Sequence, residues 1–485
     1  MAVVHAVFAR IVVLVSGAAI LVVETLATRL VAPYVGLTLE STTAVIGVAL
    51  AGIAAGAALG GHWADRLPPR RVVTGALLAG GLGVLAVRPL VRLLGPALGP
   101  GPIAAVLLVA ASTLVAVTTL AMVTPAVIRA RLRSVDGSGA VVGGLSAAGT
   151  IGSLVGTFVT GFVLVTLLPV AAILVVTAAG CLLLALLTAT ERRWAAIGRV
   201  GAAALVLGAA TVAVPGRCDV DTVYYCARVE TDAQRPTARV LVLDDLRHSA
   251  VDLADPTRLQ FAYTRRMADA IDTAFPPGRA LAAVHLGGGG FTVPRWLAAT
   301  RPGSASTVLE VDPGVVELGR RELGVDAVPD LDVRIGDART GLAALPDTAA
   351  DVIVGDAFGA RSVPWHLATA EFVTDVRRVL RPSGIYVLNV IDRDPLRLLA
   401  AETATLAGQF RYVQLMVRPD QLAAGGGGNA VLVASDRPLD VPGLAARAAA
   451  REEPGSVLDD AAARRFAGDA AVLTDDRAPV EQLLG

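Results

Sequence analysis

Six apolar stretches, at 8–28, 41–61, 72–94, 103–128, 140–164 and 170–190, fill most of the first 215 residues. Each is close to the ~20 residues that a helix needs to cross a ~30 Å hydrocarbon core. Lipid offers the backbone no hydrogen bonds, so repeated segments of this length point to a multi-pass α-helical membrane domain, with the lipid bilayer as its partner. The whole-chain values agree: 54% of the 485 residues are hydrophobic and the mean hydropathy is +0.64, too apolar for a soluble chain of this size. The first stretch is too long, and too poorly followed by small residues, for a cleaved leader, and it is read as an uncleaved span. A weaker run, VGAAALVLGAATVAV at 200–214, is a candidate seventh span.

Arginine positions orient the bundle, because positively charged loops stay on the cytoplasmic side. With the N-terminus inside, ten arginines fall in inner segments and three, Arg29, Arg88 and Arg92, in outer ones. The loop GGHWADRLPPRR at 60–71 resembles the loop between the second and third helices of major facilitator transporters, with Pro68 where that pattern has glycine. GTIGSLVGTFVTG at 149–161 spaces glycines four and five residues apart, which lets helices approach closely. Glu24, in mid-span, is expected to face an arginine or a cavity.

All 42 basic residues are arginine. With no lysine, the chain has no P-loop lysine, Schiff base or lysine general base. Of the 42 arginines 13 lie in residues 1–215, against 5 of the 42 acids, so the remainder is acidic and nucleic acid is not an expected partner. Five scattered histidines and three cysteines make no cluster at ligand spacing, so no metal site is expected.

After Pro215 the texture changes, and the expected division is a transmembrane domain over 1–215, a linker over 216–235 and an α/β domain over 236–485. ARVLVLDD and HSAVDLA predict a small N-terminal β-hairpin region at about 238–254, followed by a helix. AAVHLG, STVLEVD, LDVRIGD, ADVIVGD and GIYVLNV then alternate with helical segments, the pattern of a parallel sheet, and RYVQLMV and NAVLVAS add an antiparallel pair. The expected fold is a Rossmann-like, class I methyltransferase-type seven-stranded sheet. Ligands of such sheets bind at the carboxyl ends of the strands. Those ends carry Gly287, Gly288 and Gly289, then Glu310, Asp337 and Asp356. A glycine loop admits close backbone approach and an acid about 20 residues on accepts two ribose hydroxyls, so a nucleoside is the expected ligand.

HLGGGGFTVPRWL, VLEVDPGVVELGRREL, RIGDART and DVIVGDAFGARSVPWHLATAEFVTDVRRVLRPSGIYVLNV resemble the spermidine synthase (polyamine aminopropyltransferase) family, over roughly 236–436, and specifically its membrane-fused bacterial branch. The resemblance implies a transferase that moves an aminopropyl group from decarboxylated S-adenosylmethionine, as co-substrate, to a small-molecule amine acceptor. It implies that Glu310 holds the ribose, Asp337 faces the adenine, Asp356 deprotonates the attacking amine and Tyr263 lines the amine cavity. A homodimer and a location in the bacterial plasma membrane are further expectations.

The resemblance departs from the family pattern at several positions. Gly290 and Phe291 stand where a G-G-G-D-G loop has its acid and last glycine, and Asp356-Ala357-Phe358-Gly359 lacks the second acid of D-S-x-D. His248 takes a glutamine position and Arg265 a glutamate position. A dicationic polyamine would need those carboxylates. With His248 and Phe291 as substrate-binding residues, the expected acceptor is bulkier and less cationic than putrescine. Two alternatives stay open: a half-size transporter or membrane protein with a nucleoside-binding pseudoenzyme tail, and an S-adenosylmethionine-dependent methyltransferase. Cys218 and Cys226, just past the candidate seventh span, suggest a disulfide and hence a tail outside the cytoplasm.

Overall fold

In the computed structural model, residues 2–35, 39–99, 101–132, 138–189, 194–214, 216–358, 363–423, 425–450 and 455–484 are described. The chain separates into two units, Met1–Cys226 and Ala227–Gly485. The segment 216–235 is therefore divided between them, and Pro215 lies outside the described residues.

Among the described residues of the first unit, six helices are long and apolar enough to cross a membrane: α1 (Ala6–Val35), α2 (Ser41–Arg66), α3 (Pro69–Leu98), α4 (Pro102–Arg131), α5 (Ser138–Leu167) and α6 (Val170–Thr188). Runs of Ala, Val and Leu favour the helix, and Pro69, Pro102 and Val170 begin their helices just after a proline or at one, where no backbone donor is lost. The glycines of α5 set its packing. A Cβ on Gly152 or Gly156 would strike the backbone of Leu14 or Ala18, so α1 and α5 meet at backbone distance. In the basic loop Asp65 pairs with Arg129 at 2.8 Å, while Arg70 donates to the Thr188 carbonyl at 2.8 Å. Among the described residues no arginine pairs with half-buried Glu24.

The weaker run forms α7 (Trp194–Ala213), 20 residues long, or about 30 Å at the usual rise. It packs on α3: the Thr211 hydroxyl donates to the Leu85 carbonyl at 2.6 Å, and Arg88 and Arg92 donate to the carbonyls of Thr211 and Val214. Cys218 and Cys226 are joined in a disulfide.

Next along the chain is an antiparallel meander, β1 (Cys226–Asp232), β2 (Arg235–Leu243) and β3 (Leu246–Asp252), of which all but Cys226 belongs to the second unit. Here β2 and β3 form the hairpin, turning through Asp244 at φ 55°. After α8 (Ala262–Ala274) come β4 (Ala282–Leu286), α9 (Thr292–Thr300), β5 (Ala305–Glu310), α10 (Pro313–Glu322), β6 (Leu331–Ile335), α11 (Ala338–Ala343), β7 (Ala350–Gly355), α12 (Ala370–Val379), β8 (Leu380–Arg393), α13 (Arg397–Gln409), β9 (Tyr412–Val417), β10 (Gly427–Ser435), α14 (Val441–Ala449) and β11 (Ser456–Leu458). The sheet order is β11-β9-β10-β8-β7-β4-β5-β6. Strands β4 to β8 run parallel, while β10, β9 and β11 are antiparallel additions.

The sheet thus has eight strands where seven were expected. The extra one, β11, is three residues long, too short for any periodicity to reveal. All of β7 is buried, and its pleat divides the core: Ile353 joins the layer of Phe372 and Leu399, while Val352 and Val354 join Met267 and Leu297 on the other face. Burial on both faces is why β7 reads as a nearly continuous apolar run.

Candidate active site

The glycine loop follows β4 directly. Gly287 has φ +92°, and a Cβ there would lie 2.7 Å from the Asp356 carbonyl, so glycine brings the loop against the end of β7. The loop then turns through Phe291, at φ 57°, into α9.

Glu310, at the end of β5, reaches the loop from its far side. One carboxylate oxygen accepts the Gly288 amide at 2.7 Å and more distantly the Gly289 amide at 3.4 Å, while the other accepts the Asp312 amide at 2.9 Å. Burial raises its pKa, with those amides pulling the other way. Asp337, one strand further, caps α11 by accepting the Thr340 amide at 3.1 Å and lies 2.8 Å from His366 Nε2. Burial would raise its pKa, but the Thr340 amide and His366 outweigh that and hold it below the usual value.

On the other side of the loop is a cavity of about 420 Å³, lined by Gly287, Gly288, Gly289, His248, Tyr263 and Asp356 among others. Asp356 accepts Asn389 Nδ2 at 2.9 Å. The Tyr263 hydroxyl, 3.2 Å from the His248 carbonyl that accepts it, also hydrogen-bonds Asp356. Burial lifts the Asp356 pKa to about 6, against the pull of Asn389 and Tyr263. Burial also pushes His248 down to about 4, so its imidazole is neutral at pH 7. A partly buried carboxylate base with a raised pKa beside an open cavity is suited to taking a proton from a nucleophile.

Phe291 requires a correction. It was expected to bind substrate, yet its side chain is fully buried with Val308, Val316 and Val325 and does not line the cavity. The left-handed turn aims the ring under the loop, where it supports Gly288 and Gly319. Gly359 lies outside the described residues.

Asn389 was missed in the sequence, although a polar residue inside the apolar run VLNV is a legible signal. The registers of β8 and β7 put Leu388 beside Gly355, and hence Asn389 beside Asp356. His366, the partner of Asp337, carried no such signal. Cys218, Asp221 and Cys226 lie within metal-binding distance of one another, but the disulfide removes both thiolates as ligands.

No family model matches the chain. A polyamine aminopropyltransferase of Vibrio vulnificus (strain CMCP6) is 32% identical over 155 residues, 32% of this chain and 50% of that protein. One from Chromobacterium violaceum is 26% identical over 141 residues, 29% of this chain and 53% of that protein. The chain spans about half the length of these two relatives. A probable spermidine synthase from Corynebacterium glutamicum ATCC 13032 superposes with a TM-score of 0.50 at 27% identity, covering 53% of this chain and 95% of that one. The chain is related to the spermidine synthases. In this spermidine synthase-like chain, the coverage of the solved structure is that expected of the second unit alone, with the apolar helices additional to it.

Proposed function

We propose that this protein is a membrane-anchored, spermidine synthase-like transferase that moves an aminopropyl group from decarboxylated S-adenosylmethionine to an amine. The observation that carries the reading is the partly buried Asp356, held by Asn389 and Tyr263 on a cavity that borders the glycine loop. Gly287–Gly289 give the nucleoside a close backbone approach, Glu310 accepts its ribose hydroxyls and Asp337 faces its base. The amine nitrogen attacks the propyl carbon bound to the sulfonium. A C–N bond forms as the C–S bond breaks, the departing pair neutralises sulfur to a thioether, and Asp356 takes the proton lost by nitrogen. No stronger catalyst is needed, because the sulfonium is a good leaving group and alignment supplies much of the rate. Tyr263 and Asn389 orient the carboxylate.

The six apolar helices support a location in the bacterial plasma membrane, and α7 is long enough to add a seventh crossing. A seventh crossing and the Cys218–Cys226 disulfide both favour a tail outside the cytoplasm.

The test of the enzyme reading uses full-length protein in detergent, the labelled donor and a panel of amines, with products identified by mass spectrometry. Release of 5′-methylthioadenosine with an aminopropylated product is expected. Asp356→Asn is expected to bind 5′-methylthioadenosine within a few-fold of wild type and to lose about 10²-fold or more in turnover. Wild-type turnover by Asp356→Asn would remove the general base from this account.

A further inference from the structure

The cavity beside Asp356 has a charge pattern that polyamine transfer does not explain. Among its described lining residues Asp356 is the single acid, while Arg247, Arg266 and Arg418 supply three guanidiniums. The sequence from 357 to 362 carries no acid either. Arg418 is committed to Asp420 through hydrogen bonds of 3.0 Å from both Nε and Nη2. Arg266 is buried and donates to the Asn429 carbonyl at 3.2 Å. Arg247 is exposed, 5.8 Å above the Phe261 ring. Asp420 offsets Arg418 and Arg266, and Asp232 feels the charge of Arg247, but neither acid lines the cavity, so two ammonium groups brought into it would meet one carboxylate, Asp356, and no second acid among the described lining residues.

Two of the other polar groups are acceptors left without a partner. Asn389 turns its amide nitrogen to Asp356, which leaves its Oδ1 buried with no hydrogen-bond partner, and Asn429 Oδ1 is in the same state. Both residues line the cavity. An amine next to Asp356 brings donors toward these oxygens, and an anionic group on the same ligand pairs with Arg247, since Arg418 is committed to Asp420 and Arg266 to the Asn429 carbonyl. Guanidinium pairs with carboxylate in a planar, two-point geometry, which makes a carboxylate the natural anion.

We infer that this cavity binds a ligand group carrying both an amine and a carboxylate, as an α-amino acid does, in preference to a polyamine. The inference rests on the transferase reading above. The carboxylate has two sources: the acceptor, with the decarboxylated donor as above, or the methionyl end of a donor that has not been decarboxylated, which would replace the donor proposed above while keeping the nucleoside site and the transferase chemistry. In either case Asp356 and the two asparagine oxygens take the amine, and the arginines, Arg247 foremost, take the carboxylate.

Two ligand pairs that differ by a single carboxylate test this: ornithine against putrescine, and S-adenosylmethionine against decarboxylated S-adenosylmethionine. Binding is measured by calorimetry on the full-length protein, with 5′-methylthioadenosine as the probe of the nucleoside site. In at least one pair the carboxylated member is expected to bind about tenfold tighter or more, the effect of one charge-assisted pairing, and the pair that does so identifies the source. Arg247→Gln, at an exposed position, is expected to bring that ratio near one while leaving 5′-methylthioadenosine affinity within about threefold, well short of the cost of a lost charged contact. If 5′-methylthioadenosine binds but neither carboxylated ligand binds more tightly than its counterpart, the inference is overturned and the transferase reading stands. Retention of the preference in Arg247→Gln, with Arg418→Gln and the double variant equally unaffected, also overturns it. If 5′-methylthioadenosine does not bind, the transferase reading fails, and the inference fails with it.

Discussion

Asp356 is the residue whose chemistry depends most on its surroundings. An exposed aspartate would be a weak base, whereas burial brings this one to about 6. Because the ionised form is the base and the folded pKa is raised, activity is retained above that value and lost as pH falls through it. Turnover under limiting substrate is expected to drop about tenfold per pH unit below about 6, as for a single essential base. A profile flat from pH 5 to 8 would contradict the assignment. Glu310 predicts a different phenotype. It accepts amides from the loop and is placed for ribose hydroxyls, so Glu310→Ala is expected to weaken 5′-methylthioadenosine binding at least about tenfold, the effect of losing hydrogen bonds to a charged group. Calorimetry checks this, and unchanged affinity would exclude Glu310 from the nucleoside site.

At the scale of elements, the loop between β4 and α9 does two jobs. Its glycines lie against the cavity and the end of β7, while Phe291 closes the underside of the same turn. The ring therefore acts as core, and Phe291→Ala is expected to destabilise the second unit by about 3–5 kcal/mol, the usual cost of truncating a buried phenylalanine. Thermal unfolding of the full chain, followed by tryptophan fluorescence, measures it. A variant with unchanged unfolding and altered acceptor preference would restore the substrate-binding role. The same division recurs at β8, where Val387 and Leu388 pack on opposite faces and Asn389, next along the strand, serves Asp356.

For the whole molecule, the question is which side of the membrane holds the disulfide loop. With six crossings and the N-terminus inside, the chain returns to the cytoplasm before α7; a seventh crossing puts Cys218 and Cys226 outside. The remaining cysteine, Cys181, is fully buried in α6, so a Cys181→Ala variant isolates the pair. In intact cells a membrane-impermeant maleimide is expected to label this variant only after reduction. Labelling that needs lysis and no reductant would return the tail to the cytoplasm.

Periodicity and length made the architecture legible. Apolar runs near 20 residues can be satisfied in lipid only as helices, and doubly buried parallel strands read as short apolar runs between amphipathic helices. The positions of Gly287, Glu310, Asp337 and Asp356 at strand ends followed from the same pattern, because a parallel sheet gathers those ends on one edge. What the strand pattern could not contain was the direction of side chains after each turn. The left-handed φ of Phe291 sends its ring into the core, and the pairing of β7 with β8 sets Asn389 on Asp356. The surplus of arginine over acid around the cavity also joins segments more than 160 residues apart, from Arg247 to Arg418. Such contacts exist only once the chain has closed, because sequence spacing records local periodicity and a cavity is made of surfaces that meet from distant elements.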